Sequence, residues 1–427
     1  MKIKIMPIKK LRGEMTVPGD KSIAHRALMM GSLAVGSTKI KGLPMSDDCN
    51  YTAKAFRDMG IKIRKELDVT IVEGKGLHGL KKPDNPLYVG NSGTSMRILA
   101  GILAGQDFES TLTGDAGISA RPMKRIVEPL NMMGVKISAQ CGGEYPPLTI
   151  VGGKVRPITY KNSIASAQIK SAILFAGLYS KGITKVIEPV RSRDHTERML
   201  KYFGAKVKVS GKSVSIRGGS ELKARALEIP GDISSASFFI VAATVLKGSR
   251  IKIRNVSINP TRAGILKVLS KMGADIKIIN KKKPSPEPSA DLIVKYSKTH
   301  GITITKDMIP SVIDELPVIF VLASLSEGRT IVEGAGELRV KETDRIASMQ
   351  NGLKGMGVDF RVKGDNVVIE GSKSLKGASL KSFGDHRTCM ALAVAALTAK
   401  GDSEIEGAQS VSKSFPSFFD TSTVYLN

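Results

Sequence analysis

The sequence predicts an α/β protein of two similar domains, assembled from six copies of one helix–strand–helix–strand unit. Three observations predict it. The chain has 427 residues, beyond the size at which a single hydrophobic core stops growing. An apolar residue followed by Gly recurs at Met59-Gly60, Met133-Gly134, Phe203-Gly204, Met272-Gly273 and Met356-Gly357. Small polar residues recur just before stretches rich in Ala, Leu and Ile.

Each of these Gly residues suits the position just past a helix, where the backbone turns left-handed. A period-2 strand follows each, such as Ile61-Lys-Ile-Arg64 or Ala205-Lys-Val-Lys-Val209. A second Gly marks the other helix of each unit, at Gly36, Gly182, Gly248, Gly328 and Gly401, again before a β-run. The second unit lacks that Gly but keeps the run Ser110-Thr-Leu-Thr113. The repeat is about 70 residues long, so each unit must bury its faces against neighbours.

The first helix of each unit opens on a small polar segment: Gly19-Asp-Lys-Ser22, Asn91-Ser-Gly-Thr-Ser95, Ser163 to Gln168, Gly231 to Ser237, Ser311-Val-Ile-Asp314 and Gly384-Asp-His-Arg387. A helix start carries unpaired N–H groups and a partial positive charge, which makes it an anion site. Ordinary capping explains any one of these segments. Charged residues gathered at the same places argue for more. Lys21, Ser22 and Arg26 cluster on the first helix, with Arg26 four residues after Ser22 and on the same face. Arg121 ends a Gly-containing loop before Pro122 and suits bidentate anion capture. Arg339-Val-Lys-Glu-Thr-Asp-Arg345 is read as a helix start on which Lys341 and Arg345 share a face. Asp314 sits among apolar residues, where a carboxyl's proton affinity can be tuned. His386 reads equally well as a capping residue and as a participant in chemistry.

Composition narrows the partners. The formal charge is +26, from 65 basic and 39 acidic residues, which favours anions. Much of the excess reads as solvated lysine surface. The segment Lys281 to Pro288 reads as an exposed loop without a task. Three scattered cysteines, Cys49, Cys141 and Cys389, suit neither a disulfide framework nor a zinc site. There is no P-loop, no GxGxxG after a strand and no metal-ligand set, so no cofactor is expected. The N-terminus alternates basic and apolar residues like an edge strand, not a signal peptide. The apolar runs Phe238 to Leu246 and Leu316 to Leu325 are shorter than the ~20 residues that span a bilayer. A cytoplasmic protein with no membrane partner is expected.

Several of these motifs resemble those of the enolpyruvyl transferases that act on shikimate 3-phosphate. The matching segments are Gly19-Asp-Lys-Ser-Ile-Ala-His-Arg26, Gly90-Asn-Ser-Gly-Thr94, Ala120-Arg-Pro-Met123, Ser166-Ala-Gln168, Arg339 to Arg345, Gly384-Asp-His-Arg387 and Lys413-Ser-Phe-Pro416. They run in order from about residue 10 to the C-terminus. The resemblance implies an inside-out α/β barrel in each domain, with three βαβ-type units apiece and helix N-termini facing an inter-domain cleft. It implies domains of residues 18–229 and of 1–17 with 230–427. It implies that Lys21, Ser22, Arg26, Ser166, Ala167, Gln168, Ser192, Asp314 and Lys341 hold shikimate 3-phosphate. Lys21, Gly93, Arg121, Gln168, Arg345, Arg387 and Lys413 would surround phosphoenolpyruvate. Asp314, Glu342 and Lys21 would move protons. It also implies glyphosate as an inhibitor, through Gly93 and Thr94, although Ile98 stands where some relatives carry Pro. A monomer that binds no nucleic acid is expected.

Two rivals are weaker. The sister enzymes for UDP-N-acetylglucosamine carry Asn where this chain has Ser22, and a loop Cys where it has Ala116. A nucleic-acid binder would gain from the charge, but aromatics make up only 5% of the chain, leaving few platforms for stacked bases.

Overall fold

Five of the six repeat-opening helices begin on a side-chain cap. In a computed structural model describing residues 1–282 and 286–420, Asp20 caps Lys21–Leu33, Ser92 caps Gly93–Leu103 and Ser166 caps Ala167–Gly177. Asp232 caps Ile233–Val245 and Asp385 caps His386–Leu397. Each cap oxygen accepts a backbone N–H that the helix cannot satisfy itself.

The sixth helix departs from the expected start. A short turn, Ile309–Val312, stops, and the long helix runs Leu316–Leu325 without a side-chain cap. Asp314 therefore lies in the break, not on a helix start. The reason is Pro317. It has no N–H to bond the Ile313 carbonyl, so one continuous helix cannot pass through.

The repeat is also richer than helix–strand–helix–strand. The third shows the plan. Thr159–Lys161 runs parallel to Ile183–Ile187 across the Ala167 helix. After His195–Tyr202, the hairpin Lys206–Ser210 and Ser213–Arg217 returns, and its second strand pairs antiparallel with Ile183–Ile187. The unit is βαβαββ, and the strand order of its sheet puts the last strand between the second and third. The sheets around Glu109–Thr113, Arg250–Ser257 and Arg329–Val332 repeat that order. The hairpin's extra strand was hidden because its two arms alternate alike. All five Gly residues after the second helices have positive φ, between 84° and 99°, as the left-handed helix end requires.

The chain divides into two compact units. One holds Gly19–Ile229, joined by residues 286 and 287, and the other holds Met1–Pro18 with residues 230–282 and 288–420. Each has its own apolar core. The first helices form those cores. Every residue of His386–Leu397 is buried, as is Ile233 through Thr244. Ile233–Val245, Leu316–Leu325 and His386–Leu397 pack on one another. In the other unit, Gly101 lets two helices meet closely, because a Cβ there would lie 2.1 Å from the Ala172 carbonyl oxygen. Helices apolar all round belong inside, so the sheets lie outward of them, as an inside-out barrel requires.

Candidate active site

In the Gly19–Ile229 unit, three helix starts carry the polar groups. Lys21 opens the first helix, and its ammonium pairs with Asp48 at 2.7 Å. Ser22 follows it. Arg26 is buried one turn on. Its Nη1 returns to the Ser22 carbonyl at 2.8 Å, its Nε donates to Thr196 Oγ1 at 2.6 Å and its Nη2 to Ser171 Oγ at 2.9 Å. Burial pulls this guanidinium down to about 10, against the attraction of Glu197 and Asp20. A buried arginine held only by neutral partners on these three contacts is suited to an anion.

Gly93 begins the second helix between two guanidinium groups. A Cβ there would meet Arg97 Nη1 at 2.7 Å and Arg121 Nη1 at 3.2 Å. Arg97 donates to Gln168 Oε1 at 2.7 Å, and Gln168 Nε2 donates to Thr94 Oγ1 at 3.1 Å. Arg121 donates to Asn91, which itself donates to both Asp115 oxygens at 2.7 and 2.9 Å. The structure thus brings Gly93, Arg121 and Gln168 together. Ser166 is the cap of the Gln168 helix, and Ala167 is its first residue. Ser192 is buried and its hydroxyl donates to Glu188; no hydrogen bond joins it to Ser22 or Arg26.

The other unit gathers Asp314, Lys341, Glu342, Arg345, Arg387 and Lys413. Arg345 is its hub, only 1% exposed. Its Nε donates to Asp385 Oδ2 at 2.8 Å, its Nη1 lies 3.4 Å from Asp314 Oδ1, and its Nη2 donates to Glu342. Burial opposes its charge, but Asp385, Glu342 and Asp314 outweigh that and hold it above the ordinary arginine range. Arg387 Nη1 donates to the Asp314 carbonyl at 3.1 Å, and Nη2 lies 3.8 Å from Asp314 Oδ2. Burial pulls the Lys341 ammonium below its ordinary range, while Asp314 pulls it back. Lys413 reaches the Gly384 carbonyl at 2.9 Å.

The helix expected through residues 339–345 starts only at Arg345, capped by Asp344. Lys341 and Glu342 precede it in a bend of the chain, so helical spacing does not align them with Arg345. Asp344 fixes this, because its side chain accepts from Ala347 N at 3.0 Å and ends the helix there. His386 is buried in the first turn, and Asp385 is the cap.

Sequence reasoning missed Arg97 and Asp48. Arg97 stands four residues after Gly93, the same step that separates Arg26 from Ser22, and that parallel was a usable signal. Asp48 belongs to the second helix of its unit and joins Lys21 only through the fold. The segment expected to be an idle loop also has a fixed member: Glu287 is buried and its Oε1 lies 2.8 Å from His195 Nδ1. Residues 283–285 lie outside the described residues. Among the described residues no group of His, Cys, Asp and Glu is arranged to hold a metal ion, and no helix is long and apolar enough to cross a membrane.

Arginines buried at helix starts, with carboxylates placed on one of them, define an enzyme for small polyanions built on repeated α/β units. The comparisons give the kind. Residues 5–422 match the family model described as EPSP synthase (3-phosphoshikimate 1-carboxyvinyltransferase). A Brevibacillus brevis 3-phosphoshikimate 1-carboxyvinyltransferase is 48% identical over 98% of each chain. One from Citrifermentans bemidjiense is 49% identical over 97% of this chain and 96% of its own. The solved EPSP synthase of Acinetobacter baumannii superposes with a TM-score of 0.89 at 43% identity, covering 99% of this chain and 98% of that one. The enolpyruvyl transferase NikO of Streptomyces tendae shares the fold, with a TM-score of 0.80 at 16% identity, covering 99% of this chain and 96% of that one. This chain belongs to the EPSP synthase family.

Proposed function

We propose that this protein transfers the enolpyruvyl group of phosphoenolpyruvate to the 5-hydroxyl of shikimate 3-phosphate and releases phosphate, a step toward the aromatic amino acids. The observation that carries the reading is Arg345, buried between Asp314 and Glu342. Addition needs a base for the hydroxyl proton and an acid for the methylene carbon. Two carboxyl groups tied to one cation can supply both.

Asp314 takes the hydroxyl proton, and the freed oxygen attacks C2 of phosphoenolpyruvate. Glu342, aided by Lys21, gives a proton to the methylene carbon. The resulting tetrahedral adduct then loses phosphate as the methyl group returns a proton. Lys21, Ser22, Arg26, Ser166, Ala167, Gln168, Ser192, Asp314 and Lys341 hold shikimate 3-phosphate. Gly93, Arg121, Gln168, Arg345, Arg387 and Lys413, with Lys21, surround phosphoenolpyruvate. Fixed guanidinium groups stabilise charge that grows at the adduct without reorganising. The reading includes a monomeric, cytoplasmic protein that binds neither nucleic acid nor membrane.

The test is phosphate release from phosphoenolpyruvate, with shikimate 3-phosphate in one sample and UDP-N-acetylglucosamine in another. Release with shikimate 3-phosphate alone is expected, and release with the UDP-sugar alone would overturn the substrate. Asp314→Asn should keep substrate binding and lower kcat by about 10²- to 10⁴-fold, the usual scale for a proton-transfer group. Near-normal turnover would remove Asp314 from that role.

A further inference from the structure

Arg262 has no part in the reaction as written above, yet it is almost wholly buried beside it. It follows the turn that begins at Asn259, and only 1% of it is exposed. Its Nη1 donates to Glu315 Oε1 at 2.7 Å, and its Nη2 donates to Asp232 Oδ1 at 3.1 Å and to Ser234 Oγ. Ser234 Oγ also donates to Glu315 Oε1. Arg262 thus joins the cap of the Ile233 helix to Glu315, the residue next to Asp314.

A second arginine stands within reach of the same carboxylate. Arg387 Nη1 lies 3.9 Å from Glu315 Oε1, beyond hydrogen-bond range. A buried carboxylate is costly without a cation on it. Arg262 meets that need at 2.7 Å. If it were absent, the nearest replacement would be Arg387, which needs to move only about 1 Å to make the bond. That movement would shift the guanidinium from the place it holds against the Asp314 carbonyl.

We propose that Arg262 is a positioning residue: by occupying Glu315 it prevents that carboxylate from capturing Arg387, and so leaves Arg387 for phosphoenolpyruvate. The inference rests on the assignment of Arg387 to phosphoenolpyruvate made above. It makes a specific demand. Loss of Arg262 must harm one substrate, not both, and neutralising Glu315 must repair the harm.

The experiment compares the full-length wild type with Arg262→Met, Glu315→Gln and the double variant, measuring KM for each substrate and kcat. Arg262→Met should raise KM for phosphoenolpyruvate by about tenfold or more and shift KM for shikimate 3-phosphate by less than about twofold, the signature of one lost charged contact. Glu315→Gln and the double variant should stay within about threefold of wild type for phosphoenolpyruvate, since no charged Glu315 remains to capture Arg387. An unchanged phosphoenolpyruvate KM in Arg262→Met, equal losses for both substrates, or a double variant as impaired as the single would each overturn the role. Should Arg262→Met fail to fold, Arg262→Lys takes its place, since one ammonium cannot span Glu315 and Asp232 as the guanidinium does: a selective rise in phosphoenolpyruvate KM is expected, and an unchanged one overturns the role. A wild type inactive with these substrates overturns the proposed function and this inference together; an active wild type with the wrong pattern overturns only the inference.

Discussion

Lys170 is a completely buried ammonium that no substrate need touch, and replacing it with Met exposes what it does. Its Nζ lies 2.9 Å from Glu188 Oε2 and 2.7 Å from Glu197 Oε1, with all three side chains at most 2% exposed. Burial raises the Glu197 carboxyl above its usual range, and Lys170 pulls it back. Met fills similar space but leaves two buried carboxyl groups without a cation. Breaking a buried pair in this way costs about 3–5 kcal/mol. For a unit of this size, each kcal/mol moves the thermal midpoint by about 2–4 °C, so Lys170→Met should lower Tm by roughly 6–20 °C. The loss should also reach the site. Glu188 holds the Ser192 hydroxyl and Thr196 holds Arg26, and both lie on the stretch that Lys170 anchors. KM for shikimate 3-phosphate should therefore rise by at least about tenfold, as expected for a displaced charged contact. Scanning calorimetry and steady-state kinetics on the same preparation give both numbers. The triple variant Lys170→Met, Glu188→Gln, Glu197→Gln should regain most of the lost Tm, because no buried charge remains. A single-variant shift under about 3 °C would refute the reasoning, showing that the two carboxyl groups need no cation.

Gly93→Ala should raise KM for phosphoenolpyruvate by about 10- to 100-fold, because the new methyl must push Arg97 and Arg121 from their places and each charged hydrogen bond is worth about 1.5–3 kcal/mol; unchanged kinetics would show that both tips yield freely. His25 is buried between Lys21 and Arg26, and its pKa lies well below the usual 6.5, first through burial and then through those cations. The unfolded chain therefore takes up a proton below pH 6.5 that the folded chain refuses, and stability falls on acidification by about 1.4 kcal/mol per pH unit from this group. Urea unfolding between pH 7 and 5 should show a shallower slope in His25→Gln. Burial pushes the Cys49 and Cys389 thiols up to about 12, while Cys141 is exposed, so a thiol reagent should modify one cysteine in the native protein and three after unfolding.

The parts legible in the sequence were those fixed by local chemistry. A Gly after an apolar residue has one common use at a helix end, and all five such glycines take it. A small polar segment ahead of an apolar run suits a cap, and Asp20, Ser92, Ser166, Asp232 and Asp385 behave so. Where a neighbour in sequence competes, the local pattern misled. Pro317 broke the helix expected through Asp314, and Asp344 claimed the helix start expected nearer Arg339. Partners supplied by another element left no local trace at all. Asp48 on Lys21, Thr196 on Arg26 and Glu287 on His195 depend on which helices the fold lays side by side, and spacing along the chain does not carry that.

The N-terminal strand has a consequence for how the chain is made. Lys2–Ile5 pairs with Ser403–Glu406, Ile3 opposite Ile405, so this strand waits for a partner made about 400 residues later. At about 5–20 residues per second, the ribosome needs roughly 20–80 s to deliver it. Gly19–Ile229 is nearly continuous in sequence and can bury its core in the meantime. Throughout that interval the strand is an open edge, exposed to every other nascent chain. Its alternation of Lys with Ile then acquires a second meaning. Lys2 and Lys4 remain exposed or nearly so in the finished protein, paired with Glu404 and Asp402, but before those partners exist they place a bare charge at every other position, which is how edge strands discourage the wrong neighbour.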